Sequence, residues 1–260
     1  MKQQGALLPT YSGLASIYDA IMSDVDYLDW SDYIESAIRM HHGWCSRILE
    51  LACGTGTMAL ELEERDDWHI TATDGSEQMI RIAREKGAAR NSSIDWSVQD
   101  MTSLSLSQTF DAVYMVFDSL NYLHHEQQVF KLLRGVKTHL APQGIFVFDF
   151  TTPLHSAFVA DKLNTFKTIS PGLTYQRLSS WQPEARTHTN RFLVEQRDVN
   201  TGEITDSFEE VHVQRIWQLD EIRSIIERSG LAELAAYEDF ELEPAGPLSE
   251  RITMVLQNGS

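Results

Sequence analysis

The sequence predicts an α/β fold: a doubly wound, mostly parallel seven-stranded sheet with an N-terminal helical cap and an antiparallel β insert after strand five. Three observations carry this reading. From Ser46 to Phe150, apolar or β-prone runs alternate with helical patterns, which means βαβ units and hence parallel strands. After Phe150 the runs lengthen and alternate residue by residue, the pattern of an antiparallel meander. Two short apolar runs near the C-terminal end, set off by one more helical pattern, supply the sixth and seventh strands.

The elements follow in order. Leu14, Ile17, Tyr18, Ile21 and Met22 share one helical face, and Trp30, Tyr33, Ile34, Ala37 and Ile38 share another, so two short amphipathic helices precede the main fold. Strands are expected at 47–51, 69–73, 94–98, 111–117 and 145–150, with helices at 57–65, 76–87 and 124–140. Gly87, Pro142 and Gly144 stand where those helices should stop. Insert strands at 174–181, 186–198 and 203–217 are joined by Gln182-Pro183-Glu184-Ala185 and Asn200-Thr201-Gly202, both rich in turn formers. A helix at 219–229 stops at Gly230, and strands at 231–237 and 251–257 close the sheet. The expected division is therefore a cap (1–45), a central α/β domain (46–150 with 218–260) and the insert (151–217), the insert acting as lid and substrate subdomain.

Composition narrows the function. With 260 residues and 42% hydrophobic content the chain can bury a full core. Its formal charge of -17 repels a phosphate backbone, and residues 195–250 alone carry 15 acids against four arginines, which argues against nucleic acid as a partner. Two cysteines, Cys45 and Cys53, form no CxxC pair and no disulfide framework, as in a reducing compartment. The start, MKQQGALLPT, lacks a leader pattern and no apolar run approaches a membrane span, so a cytoplasmic protein without membrane contact is expected. The pairs His41-His42 and His124-His125 lack HExxH spacing and read as solvated helix-end histidines, so no metal is expected.

Chemistry concentrates at the carboxyl ends of the first four strands, where open α/β sheets bind ligands. The run 48–57, ILELACGTGT, is an apolar strand bearing Glu50 that ends in a glycine turn, Ala52, Cys53, Gly54, Thr55 and Gly56, where backbone can approach a ligand beside unpaired helix N–H groups. Strand two ends in Asp74, Gly75 and Ser76, placing a carboxylate where a doubly wound fold meets a ribose diol, although Asp74 also suits a helix cap. Strand three ends in Gln99, Asp100 and Met101, an acceptor and a thioether suited to an adenine, or else a surface loop acid. Strand four ends in Phe117, Asp118, Ser119, Leu120, Asn121 and Tyr122. Four polar clusters at four adjacent strand ends are the signal.

These segments (Glu50 to Gly56, Asp74, Gln99 to Met101, and Phe117 to Leu123) resemble the class I S-adenosylmethionine-dependent methyltransferases, over about residues 10 to 257. The opening Leu14 to Asp19, then Asp26, Tyr27 and Trp30, is similar to bacterial small-molecule members, among them nucleotide-linked aminosugar N-methyltransferases. The resemblance implies a Rossmann-like fold, S-adenosyl-L-methionine as cofactor with S-adenosyl-L-homocysteine as product, and methyl transfer to nitrogen or oxygen of a small-molecule acceptor by in-line displacement. It also implies that Glu50 holds the methionine amino group and that the 52–56 backbone faces the methionyl and ribose parts. Asp74 takes the ribose hydroxyls, with Gly75, Ser76 and Met79 beside it, and Gln99, Asp100 and Met101 take the adenine. Phe117 and Asp118 line the methionine end, while Tyr18 and Trp30 close the pocket. The family commonly has glycine where this chain has Ala52. Tyr11, Tyr18 and Tyr122 are the candidates for a direct catalytic role, with core aromatics as the alternative.

Two other classes fit parts of the pattern. Gly54 to Ala59 also satisfies the GxGxxG/A loop of a nicotinamide dehydrogenase, but Glu50 would set a negative charge before the pyrophosphate turn. A non-catalytic S-adenosylmethionine-binding module shares the cofactor residues, and the polar edge at 118–122 with the large insert favours an acceptor site over it.

Overall fold

The computed structural model describes residues 6–65 and 68–259; residues 1–5 of the segment expected to be free of a leader lie outside them. A short strand β1 (Ala6–Leu8) leads into a 3-10 turn (Leu14–Ile17), α1 (Tyr18–Ile21) and α2 (Tyr27–His41). Asp26 caps α2 by accepting from the Leu28 and Asp29 amides, and the helix buries the face expected, Trp30, Tyr33, Ile34, Ala37 and Ile38. The central units are β2 (Arg47–Leu51), α3 (Thr57–Glu63), β3 (His69–Asp74), α4 (Glu77–Arg90), β4 (Asp95–Val98), β5 (Phe110–Met115), α5 (Glu126–His139) and β6 (Leu140–Thr151). Then come α6 (Pro153–Val159), the strands β7 (Thr165–Ser170), β8 (Leu173–Gln182), β9 (Thr187–Arg197) and β10 (Ile204–Arg215), α7 (Leu219–Ser229), β11 (Leu231–Glu238) and β12 (Arg251–Asn258).

Seven strands form the central sheet in the order β11-β12-β6-β5-β2-β3-β4. All neighbouring pairs from β6 to β4 are parallel, and β12 is antiparallel to both β6 and β11. Both faces of the sheet are covered, as a parallel sheet requires. Ile48, Ala112, Tyr114, Ile145 and Val147 pack with α2, α3 and α4 on one side. On the other, Leu49, Leu51, Val113, Phe146, Phe148 and Phe150 pack with α5 and α7. Alternation along single strands thus assigns each residue its layer.

The insert is a five-stranded sheet in the order β1-β10-β9-β8-β7. Its meander was legible, its two edges were not. β1 is a three-residue strand pairing parallel to β10, and β7 is an edge strand half exposed along its length, so neither carries a strong apolar run. Helix α4 also runs three residues past Gly87, which does not stop it. A Cβ at position 87 would lie 3.0 Å from Trp96 Nε1, so glycine there allows close packing, and left-handed Asn91 ends the helix.

Candidate active site

Parallel strands β2 and β5 lie side by side while the chain winds outward from them in opposite directions, through β3 and β4 on one side and β6 on the other. A crevice opens at such a switch point, outside the carboxyl ends. A cavity of about 500 Å³ occupies it here, lined from β2 and its loop by Glu50, Ala52, Cys53, Gly54 and Thr55, from the β3 end by Asp74, Gly75 and Ser76, and by Met79 and Met101. Phe117, Ser119 and Tyr122 line it after β5, and Pro9, Thr10, Tyr11, Ser12, Tyr18 and Tyr27 close it from the N-terminal segment. That volume suits a ligand of nucleoside size.

The loop after β2 is shaped by left-handed backbone at Ala52 (φ 54°), Gly54 (φ 54°) and Gly56 (φ 78°). Asp74 pins it: one carboxylate oxygen accepts from Gly54 N at 2.9 Å and the other from Ser76 N at 2.8 Å. Burial raises the Asp74 carboxyl above its ordinary value, with those two amides pulling it down. A second clasp comes from α1, where Asp19 accepts from Thr55 Oγ1 at 2.5 Å and from Lys86 Nζ at 2.8 Å. The two glycines do different work. A Cβ at Gly54 would meet only the Tyr18 ring, at 3.8 Å, whereas at Gly56 it would strike the Trp96 ring at 2.5 Å, beneath the loop and away from the cavity.

Glu50 is 2% exposed, and its Oε2 has no hydrogen-bond partner among the described residues. Burial lifts its carboxyl to about 8, against the pull of the neighbouring Tyr114 hydroxyl and with the Asp74 charge adding to the lift. An unpaired buried acceptor at the wall of a cavity is a demand for a donor, and a cationic one answers both the geometry and the charge.

After β5 two successive residues, Phe117 (φ 59°) and Asp118 (φ 51°), are left-handed, which turns Phe117 into the cavity. Such strain persists only where surroundings enforce it. Asp118 N donates to Asp149 at 2.9 Å, Arg251 donates to both Asp149 and Asp118, and Gln214 reaches Asp118 from β10. Burial raises Asp149 to about 6 in spite of the Arg251 charge beside it.

Five of the residues singled out from the sequence lie outside this lining. Trp30 backs Phe117, ring centroids 4.3 Å apart, and Tyr27 takes the wall position instead. Gly56 faces Trp96 as described, and Gln99 folds onto the Ser105 backbone. Asp100 is exposed and accepts from Thr102 N and Oγ1 through Oδ1, and Asp118 supports the turn from behind.

Tyr11, Tyr18 and Tyr122 meet at one end of the cavity. Tyr11 Oη and Tyr122 Oη are 2.6 Å apart, and the Tyr11 and Tyr18 rings meet edge to face at 5.8 Å. Burial raises all three phenols above their ordinary value, so they stay neutral. Behind them stand two residues that the sequence reading missed: Tyr122 Oη bonds His212 Nδ1 at 3.0 Å, and His212 Nε2 bonds Glu210 at 3.1 Å. Glu210 also accepts from the Tyr11, Gly13 and Leu14 amides. Burial alone would raise its carboxyl; the His212 contact and the three amides outweigh it and hold it below the usual carboxylate range. The available signal was alternation, since Glu210, His212 and Gln214 share the buried face of β10.

A family model described as a methyltransferase domain matches residues 48–144, from β2 into the start of β6. Along nearly the whole chain, YqeM of Bacillus subtilis (strain 168), a protein named as a methyltransferase, is 32% identical over 249 residues, covering 93% of this chain and 94% of its own. The chain belongs to the S-adenosylmethionine-dependent methyltransferases. A solved S-adenosylmethionine-dependent methyltransferase from Clostridium acetobutylicum superposes on this methyltransferase with a TM-score of 0.78 at 25% identity, covering 96% of this chain and 99% of the other. CalS10 from Micromonospora echinaspora, an amino pentose methyltransferase solved with S-adenosylmethionine bound, shares the fold at a TM-score of 0.69 and 21% identity, over 93% and 96% of the two chains. The residues present in the methyltransferase fit its cofactor: the orphaned Glu50 acceptor calls for an ammonium, the left-handed Gly54 leaves open backbone, and the cavity holds a nucleoside.

Proposed function

We propose that this methyltransferase acts on a nitrogen or oxygen of a small-molecule acceptor in the cytoplasm, by in-line displacement. When bound, S-adenosylmethionine supplies a methyl group already activated by its sulfonium, so the chain's own task is alignment and exclusion of water, worth up to about 7–11 kcal/mol. In this reading Glu50 receives the methionyl ammonium through Oε2. The Asp74 lone pairs left over from Gly54 and Ser76 take the ribose diol, Met79 and Met101 pack on the base, and Asp100 Oδ2 is the acceptor left for its amino group. Phe117 and Tyr18 shield the methyl group, and the 9–12 segment with the inserted sheet bounds the acceptor.

The observation that carries the reading is the cluster of three neutral tyrosines at one end of the cavity, backed by a buried polar strand face. Phenol rings suit a sulfonium and phenol hydroxyls orient an amine or alcohol. The fold shared with an amino pentose methyltransferase supports an amine. The test is a screen of methyl transfer, read by S-adenosylhomocysteine release, against glucosamine, 3-amino-3-deoxyglucose nucleotides, glycine and simple carboxylates. Turnover confined to carboxylates would overturn the preference for an amine, and turnover on none of them would overturn the acceptor class.

A further inference from the structure

We propose that Tyr11, Tyr122, His212 and Glu210 form a directional proton path that draws a proton from the acceptor nitrogen and holds it on His212. The proposal rests on the reading of the tyrosine end of the cavity as the acceptor site. Tyr11 touches the acceptor; His212 and Glu210 act through the tyrosines and are positioning residues.

Direction follows from the donors and acceptors available. Glu210 is fully buried and His212 is 2% exposed. One Glu210 oxygen accepts from Gly13 N and Leu14 N, and the other accepts from Tyr11 N at 2.7 Å and faces His212 Nε2 at 3.1 Å. A carboxylate surrounded by donors only accepts, so His212 carries its proton on Nε2 and leaves Nδ1 as an acceptor. Tyr122 must then donate to Nδ1, over 3.0 Å, and Tyr11 must donate to Tyr122, over 2.6 Å. That leaves a lone pair of Tyr11 Oη turned to the cavity it lines. The His212 ring is held in place by Tyr11 (4.5 Å, interplanar 86°) and Phe192 (5.1 Å, 68°). The charged and titratable groups that face the path are Glu210 from β10, Tyr122 from the turn after β5, Tyr11 from the N-terminal segment, Asp74 from the end of β3, and Tyr18, Asp118 and Arg177 around the tyrosines.

An amine arrives as an ammonium without a free electron pair. Its proton passes to Tyr11 Oη as the Tyr11 proton moves to Tyr122 and the Tyr122 proton to His212 Nδ1. The freed nitrogen pair forms the new N–C bond, the electrons of the broken C–S bond stay on sulfur, and the positive charge of the sulfonium passes to the methylated nitrogen. His212 is left as an imidazolium paired with Glu210 and gives its proton to solvent when products leave. Neither phenol needs to become a phenolate, which agrees with their burial.

The experiment has two arms. With 15N-labelled histidine and bound S-adenosylhomocysteine, His212 is expected as the Nε2-protonated tautomer with Nδ1 accepting; the reverse tautomer overturns the path. Tyr122→Phe should move the Nδ1 resonance toward that of an unbonded nitrogen, and Tyr11→Phe should leave it in place; a resonance unmoved by Tyr122→Phe also overturns it. In the second arm, the amine of the screen above with the most turnover is used across pH. The wild-type kcat should rise with pH, because the path carries a proton only while His212 Nδ1 is free to accept one. His212→Asn should lose that dependence and about a hundredfold in kcat at neutral pH. Its KM for S-adenosylmethionine should stay within about twofold. An unchanged profile overturns the path, and if His212→Asn does not fold, the tautomer arm decides alone. A screen without turnover on any amine refutes the acceptor reading instead, whatever the tautomer.

Discussion

At the scale of single residues, Glu50 and Ala52 each hold free energy that can be measured. Burial lifts the Glu50 carboxyl to about 8, which favours its protonated form in the empty cavity at neutral pH, and an ammonium in the cavity favours its ionised form. Binding of S-adenosylhomocysteine at pH 7 should therefore release about one proton, read by calorimetry in buffers of different ionisation heat. Glu50→Gln should abolish the release, and buffer-independent heat in the wild type would remove the ammonium from Glu50. Ala52 occupies a left-handed position that glycine adopts without strain. Ala52→Gly should raise stability by about 0.5–1 kcal/mol, visible in the denaturant midpoint. A destabilised Ala52→Gly would mean that packing of its methyl group outweighs the strain.

Elements show which parts of the fold and site were legible and why. Strands β2, β3, β5 and β6 are apolar runs with one-sided turns, so the alternation of strand and helix alone puts the polar residues that end them at one edge of the sheet. The N-terminal wall, Pro9 to Ser12, has no period to read. In β10 the acids Glu209 and Glu210 count alike in the sequence toward the acidic stretch, yet they point to opposite faces: Glu209 pairs with Arg191, and Glu210 is fully buried. Side-chain alternation was visible there, but which face the protein buries depends on β1 and the 3-10 turn packing over it. Gly56 shows the same limit: the motif suggested room for a ligand, and the structure gives it to the indole of Trp96. Gly56→Val should consequently lower stability by about 2–4 kcal/mol, from the positive φ and the overpacked ring together. Chemical denaturation checks this, and a fully stable Gly56→Val with lost S-adenosylhomocysteine affinity would return the residue to the cavity wall.

Over the whole molecule, the N-terminal segment ties the two sheets together, through Glu210 to the inserted sheet and through Ser76 Oγ, which donates to the Tyr11 carbonyl at 2.9 Å, to the central one. Its response to pH has a definite sign. Glu210 is held below the ordinary carboxylate range, so its contribution is complete above that range and is lost as pH falls through its lowered folded value. Glu50 and Asp149, lifted to about 8 and about 6, run the other way: their contribution is complete below the ordinary range and is lost as pH rises through those values. Acid should therefore release the segment before it weakens the core. Hydrogen exchange at a pH below the ordinary carboxylate range should show the Tyr11, Gly13 and Leu14 amides opening while those of β6 remain protected, and simultaneous exchange of both sets would contradict this.

Arg251, which braces the left-handed turn at Phe117, stands in β12, the last strand of the central sheet to be synthesised. The nascent protein therefore has its glycine loop, Asp74 and tyrosines outside the ribosome well before the guanidinium that neutralises Asp118 and Asp149 emerges. Until then the Asp118 and Asp149 side chains lack the donor that joins them across the turn, and the wall formed by Phe117 lacks its brace. Cofactor capture by a growing chain is thus postponed until β12 is out, so ribosome-stalled chains ending before β12 should retain no S-adenosylhomocysteine and those that expose Arg251 should.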